Sequence, residues 1–326
     1  MKKLICISLL FVVLFICGCN KKTVDINTYD SEEFTSSEND DKPDKVQGVS
    51  ANIAVVSKDA KNSEDSDKIK SEAGLLVDVT TGQVLFNKNV HKKEFPASTT
   101  KVLTALVALK YADQNTVRKI GSEVLINEEN AVLCDFREGD MISFDILLHG
   151  SLMRSGNDAA AALALTAAGS ISEFADKMNE EAKRIGATNS HFMNPHGLDQ
   201  DGHYTTAYDL YLIFNEAIKN QKFVEAISCK EYSNSFNRTT AYGEYVIDCE
   251  YYNSNYFVTG NREYPSYINV LGGKAGYTDL AGRCYVMLAE SGGHRYIFVT
   301  MNCATRDIMY DDLSYLLSLV PDMNSR

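Results

Sequence analysis

Ser98 and Lys101 stand three residues apart in the run Pro96-Ala97-Ser98-Thr99-Thr100-Lys101, a spacing that places both side chains on one face of a helix beginning there. Near a helix N-terminus a serine has free backbone N–H groups and the helix field beside it, both of which favour developing negative charge. A lysine stripped of water is readily neutral and can accept the serine proton, giving a nucleophile and base without histidine. The same residues also serve plain structural ends: Pro96 presets helix entry, Ser98 caps the first turn and Lys101 stays in solvent. What shifts the balance is that two more clusters follow in order. Ser155-Gly156-Asn157 sits in a connection ahead of an Ala-rich segment, where its polar side chains either cap locally or face a cleft. Lys274-Ala275-Gly276-Tyr277-Thr278 is the last cluster and on its own reads as an edge or turn segment. On a strand Lys274 and Gly276 share a face, so a cation can attract a carboxylate where glycine permits close approach.

These clusters carry a family resemblance. Ser98 to Lys101 leading into Val102-Leu103-Thr104-Ala105-Leu106 resembles the active-site helix of the serine-type D-alanyl-D-alanine carboxypeptidases, the low-molecular-mass penicillin-binding proteins. Leu152-Met153-Arg154-Ser155-Gly156-Asn157-Asp158 is similar to their Ser-x-Asn element. The stretch from Phe174 to Asp209, with Asn194-Pro195-His196-Gly197-Leu198, resembles the family over a longer range. The last element resembles their Lys-Thr-Gly strand with Ala275 in place of the central threonine. The likeness covers about residues 70–310.

The resemblance implies that Ser98 attacks the carbonyl of a D-Ala-D-Ala peptide bond while Lys101 takes its proton. By the same likeness Ser155 relays a proton to the departing D-alanine, and Asn157 positions the substrate amide. Lys274, Gly276, Tyr277 and Thr278 complete the substrate-binding set. Lys274 attracts the terminal carboxylate, and the backbone N–H groups of Ser98 and Tyr277 form an oxyanion hole. It implies no metal and no organic cofactor. The partners are peptidoglycan stem peptides ending in D-Ala-D-Ala, with beta-lactam antibiotics as acylating inhibitors. Ala275 lacks the hydroxyl that helps hold the substrate carboxylate, a loss of roughly 1.5–3 kcal/mol for a charge-assisted bond, unless Thr278 or a water recovers part of it. That departure keeps open a catalytically weakened protein that binds stem peptides or penicillin. A beta-lactamase shares the machinery, but no Glu-x-x-Leu-Asn stretch lies between Asn157 and Lys274.

The elements that must position these residues are legible in outline. Residues 73–79 and 83–86 read as two strands around a tight turn, followed by a helix over 99–111. Helical patterns recur at 142–153, 158–168, 171–185 and 210–220. Two strands over 283–289 and 295–301 precede a closing helix over 307–319. Strands, a large helical insert, then strands and a helix predict an α+β fold, an antiparallel sheet completed by sequence-distant parts and packed against helices. The resemblance makes it beta-lactamase/transpeptidase-like.

Lys2 and Lys3 precede an apolar run ending in Ile16-Cys17-Gly18-Cys19, a secretory pattern too short for a comfortable membrane span. It resembles a lipoprotein signal over residues 1–18, with Cys19 the lipidated residue, and predicts an extracytoplasmic protein held to the membrane by its N-terminal lipid. Residues 19–70 read as a disordered acidic tether and 71–326 as the peptidase domain. Longer relatives carry a second β-rich domain after the peptidase; with Arg326 the last residue, none is expected here.

Among 326 residues, 32 Lys and Arg against 44 Asp and Glu give a net charge of −12, which disfavours a nucleic-acid partner. His191, His196 and His203 lack a carboxylate or cysteine partner pattern, so they predict loop-organising hydrogen bonds and not a metal site. Cys134, Cys229, Cys249, Cys284 and Cys303 remain after the signal, an odd number whose pairing the sequence leaves open; Cys284 and Cys303 read as small buried hydrophobes.

Overall fold

The computed structural model describes residues 53–322 apart from 59, 127 and 130. The signal over 1–18, Cys19 and the tether up to residue 52 lie outside the described residues.

The hairpin of β1 (Ala73–Asp78) and β2 (Gln83–Lys88) forms as expected. Every residue of β1 is buried, because the strand is covered on both faces. Leu75 and Val77 join the cluster beneath the helices, and Leu76 joins the one on the opposite face, the two-residue period of a strand. A tight turn over Ala97–Thr100 leads into α1 (Lys101–Tyr111). The short strands β3 (Val117–Lys119) and β4 (Met141–Ser143) come next, and α2 (Phe144–His149) starts where Ser143 accepts from the N–H of Ile146. The backbone then widens into a π-type turn over Gly150–Arg154 ahead of α3 (Asn157–Ala167). One unbroken helix was expected over 142–153; the widened turn replaces its end and delivers Ser155. Helices α4 (Ile171–Ile185), α5 (Ala207–Ala217) and α6 (Gln221–Ser228) follow, the last two separated where Asn220 caps α6.

The chain then makes a long hairpin, β5 (Glu231–Thr240) and β6 (Gly243–Tyr252), and a single turn, α7 (Tyr256–Thr259). Three adjacent strands, β7 (Asn269–Thr278), β8 (Gly282–Ser291) and β9 (His294–Cys303), precede α8 (Arg306–Ser318). The main sheet runs β2-β1-β9-β8-β7, antiparallel throughout. Helices α1 and α3 are buried on nearly every side; the run Ala159–Ala162 gives α3 the slim profile that close packing against α1 needs. Val286, Leu288, Ile297 and Val299 complete the core on that face, while Tyr285, Met287, Phe298 and α8 residues such as Leu313 complete the other.

Two expectations change. A second sheet, β3-β4-β5-β6, is present. Its long hairpin escaped notice because only Phe236 of β5 is buried, leaving no apolar alternation to read. The boundary at residue 71 also falls inside the folded unit. The Ala54 N–H donates to the Tyr211 hydroxyl (3.0 Å) and the Tyr208 hydroxyl donates to the Ala54 carbonyl (3.0 Å). Ala54, Val56 and Ile69 are buried. The N–H groups of Lys70 and Ser71 and the Ser71 hydroxyl all donate to Asp312 of α8. The apolar patch at 53–56 looks isolated between polar flanks because its partners lie far along the chain.

Candidate active site

Ser98 lies in the turn leading into α1, and the residue before it, Ala97, has φ +46°. That left-handed conformation is costly for a residue with a Cβ and is held only where neighbours enforce it. The enforcing element is the loop over Asn194–Leu198. A Cβ on Gly197 would sit 1.9 Å from the Ala97 carbonyl oxygen, so glycine alone lets this loop lie against the serine turn. Asn194 shapes the loop by accepting from the Gly197 N–H (2.7 Å).

Lys101 is fully buried. Its Nζ stands 2.9 Å from Ser98 Oγ, 2.7 Å from Asn157 Oδ1 and 2.6 Å from the His196 carbonyl oxygen. Burial, reinforced by the charge of Lys274, holds Lys101 well below the usual lysine range. A neutral amine has two N–H bonds and one lone pair. Asn157 and His196 can only accept from it, so they take both N–H groups and the lone pair faces Ser98. The serine hydroxyl then donates to the lysine, as a nucleophile donates to its general base.

Ser155 has φ +67° at the end of the widened turn. The conformation brings its Oγ within 2.9 Å of Lys274 Nζ, which also donates to the Ala275 carbonyl (2.8 Å). Lys274 is buried and its pKa is pushed down to about 7 by that burial. On the same face of β7, Gly276 abuts the turn that carries Ser98: a Cβ there would lie 2.8 Å from Ser98 N and 3.0 Å from Thr99 N. The strand thus passes close beside the Ser98 N–H.

Asn157 is buried, and its side-chain oxygen serves Lys101. Its neighbour Asp158 accepts from the N–H groups of Cys134, Phe136 and Ala159, fixing the 132–136 loop beside the cleft. Tyr277 lies on the rim, with its hydroxyl donating to Asp279 (2.7 Å). Thr278 stands at the β7–β8 turn. Its hydroxyl donates to Asp199 (2.7 Å) and accepts from the Ala281 N–H (3.0 Å), because it closes the β7–β8 turn. With both of these bonds made, the hydroxyl is engaged at the turn.

The cleft over these residues has a volume of about 350 Å³. A larger concavity of about 710 Å³, lined by Lys230, Arg262 and Tyr264 among others, includes neither Ser98 nor Lys101. Arg154, Arg283 and Arg306 also line the smaller cleft, and sequence reasoning missed all three. Arg154 and Arg283 lie within quoted motifs, and Arg306 opens α8, but no spacing marks them as converging.

The histidines organise loops. His203 Nδ1 accepts from the Met193 N–H (3.0 Å), so its neutral ring carries the proton on Nε2 and donates to Thr100 Oγ1 (2.9 Å). Burial pushes His203 down to about 4 and is the largest cause pushing His196 down to about 3. Both are neutral at pH 7. Cys134, Cys229, Cys249, Cys284 and Cys303 are free thiols, with Cys284 and Cys303 buried.

A model of the D-alanyl-D-alanine carboxypeptidase family, Peptidase_S11, matches residues 59–305. DacF of Bacillus subtilis, a D-alanyl-D-alanine carboxypeptidase, is 32% identical over 243 residues, covering 72% of this chain and 58% of the relative. DacB2 of Mycobacterium tuberculosis is 34% identical over 233 residues, covering 71% and 74%. Among solved structures, a mutant of Streptomyces K15 DD-transpeptidase superposes with a TM-score of 0.70 at 26% identity, covering 77% of this chain and 97% of that one. The D-alanyl-D-alanine carboxypeptidase of Mycobacterium tuberculosis H37Rv gives 0.65 at 30% identity, covering 80% and 92%. A family match over most of the chain, on the fold and motif order described above, makes this protein a member of the D-alanyl-D-alanine carboxypeptidase family.

Proposed function

We propose that this protein is a serine-type D-Ala-D-Ala carboxypeptidase that removes the terminal D-alanine from peptidoglycan stem pentapeptides through an acyl-enzyme. One observation carries the reading: the Lys101 amine is 2.9 Å from Ser98 Oγ with acceptors placed for both its N–H groups. Ser98 gives its proton to Lys101 and its oxygen attacks the penultimate carbonyl carbon. The oxyanion that forms faces the backbone N–H groups of Ser98 and Tyr277. When the C–N bond breaks, the Ser155 hydroxyl delivers a proton to the leaving amine and regains the one Lys101 took from Ser98, directly or relayed through Lys274, which leaves Lys101 neutral again. Water then attacks the ester while Lys101 takes its proton, the C–O bond to Ser98 breaks as Lys101 returns that proton to Ser98 Oγ, and the shortened stem departs. Asn157 gives its carbonyl oxygen to Lys101 and keeps its amide N–H for the substrate backbone, and the cationic Lys274 draws the terminal carboxylate.

Penicillin acylates the same oxygen by opening its strained ring. The protein works in the cell envelope outside the cytoplasm, tethered through a lipid on Cys19. The test is D-alanine release from a soluble pentapeptide by residues 20–326 and by Ser98→Ala. Release that vanishes in the variant supports the reading. No release by a protein that penicillin still acylates on Ser98 overturns turnover. It would favour a second reading, a binding protein for stem peptides or penicillin, for which Ala275 is the observation.

A further inference from the structure

Four of the residues lining the cleft are cationic, Lys274, Arg154, Arg283 and Arg306, and none is acidic. Most of these cations have protein acceptors. Lys274 donates to Ser155 and Ala275, Arg154 Nε donates to the Leu133 carbonyl (3.1 Å), and Arg306 donates to the Tyr256 hydroxyl (2.7 Å). Arg283 differs. Its guanidinium lies over the Tyr277 ring, 3.8 Å from the centroid, and its Nε is buried with no hydrogen-bond partner. Burial and the neighbouring charge of Arg306 hold it below the usual arginine range. A partly desolvated guanidinium beside a second cation is unfavourable alone and is relieved when an anion arrives.

The register shows where that anion would sit. Tyr277 of β7 stands opposite Arg283 of β8, and Ala275 stands opposite Tyr285. Arg283 and Ala275 are therefore diagonal neighbours on one face of the sheet, a separation that a long side chain spans. Ala275 brings only a methyl group to this wall, and the Thr278 hydroxyl is committed to Asp199.

We propose that Arg283 is a specificity-determining residue that binds the substrate's terminal carboxylate together with Arg306, supplying the donor that Ala275 lacks. The inference rests on the carboxypeptidase reading above.

The experiment compares kcat/KM for release of the terminal residue from a peptide ending in D-Ala-D-Ala and from the same peptide with its terminal carboxylate amidated. Wild type, Arg283→Leu, Ala275→Thr and the double variant are measured. Wild type should prefer the free acid. Arg283→Leu should lower kcat/KM for the acid about ten- to a hundredfold, mainly through KM, and leave the amide nearly unchanged. Ala275→Thr in that background should restore much of the loss. Arg283→Gln serves if the leucine variant does not fold, since it removes the charge and keeps a polar stem over Tyr277. An unchanged acid-to-amide ratio in a folded variant, with wild type active, overturns this inference alone. A wild type that releases nothing from either peptide overturns the carboxypeptidase reading and this inference with it.

Discussion

Lys101 and Lys274 are both buried, and the proposed reaction requires a different protonation state of each. Lys101 must be neutral to take the serine proton, which burial and the charge of Lys274 favour at neutral pH. Lys274 must be cationic to attract a carboxylate, and with a pKa near 7 it loses that charge as the pH rises through 7. The second-order rate constant for penicillin acylation of Ser98 should therefore fall at acid pH, as Lys101 gains a proton. It should fall again above about 7 on the alkaline side, as Lys274 loses one. An esterified penicillin without its carboxylate should keep the acid limb and lose the alkaline one; a shared alkaline limb would separate Lys274 from carboxylate binding. Ser98, Lys101, Ser155 and Lys274 were legible because each belongs to a short contiguous motif. Arg283 and Arg306 were not, because they reach the cleft through strand register and through the packing of α8.

At the scale of elements, the site is a place where a strand, a helix start and two loops approach more closely than side chains normally allow. Gly276 on β7 is the contact that sets how near the strand comes to the nucleophile. Gly276→Ala would put a Cβ 2.8 Å from Ser98 N and 3.0 Å from the Ala97 Cβ, and backbone on both sides leaves little room to yield. Overpacking of this kind costs about 1–3 kcal/mol. If most of that falls on the geometry beside the Ser98 N–H, acylation should slow about ten- to a hundredfold while thermal unfolding shifts by only a few degrees. Stopped-flow acylation beside a melting curve checks it, and an unaltered acylation rate would contradict this account of Gly276. Helix α1 could be read from its apolar pattern, and β7 only from its likeness to the family's Lys-Thr-Gly strand. The widened turn at Gly150–Arg154 could not, since its residues continue a helical pattern and only the αL conformation of Ser155 shows that the helix has ended.

For the whole molecule, the informative departure from the sequence reading is the segment before β1. It reads as tether because its charged residues dominate any local window, yet Ala54, Val56 and Ile69 are buried against partners from α5, β2 and α8. Full burial of a valine or isoleucine is worth about 1.5–3 kcal/mol, and Asp312 would be left with three missing donors. A chain beginning at residue 72 should therefore melt roughly 6–12 °C below one beginning at residue 20. Equal melting temperatures by calorimetry would show that the segment contributes nothing to stability.

The strand order has a consequence in time. Ala73 is registered against Met301, and β9 lies between β1 and β8, so the earliest strand of the sheet waits for the latest before it has a neighbour on that side. Closing so long a loop makes assembly slow compared with the forming of a hairpin. A chain still being synthesised has Ser98 and Lys101 in hand long before it has the sheet edge that brings Lys274 to Ser155. The proposed site would then be completed all at once, only after β7, β8 and β9 have been made.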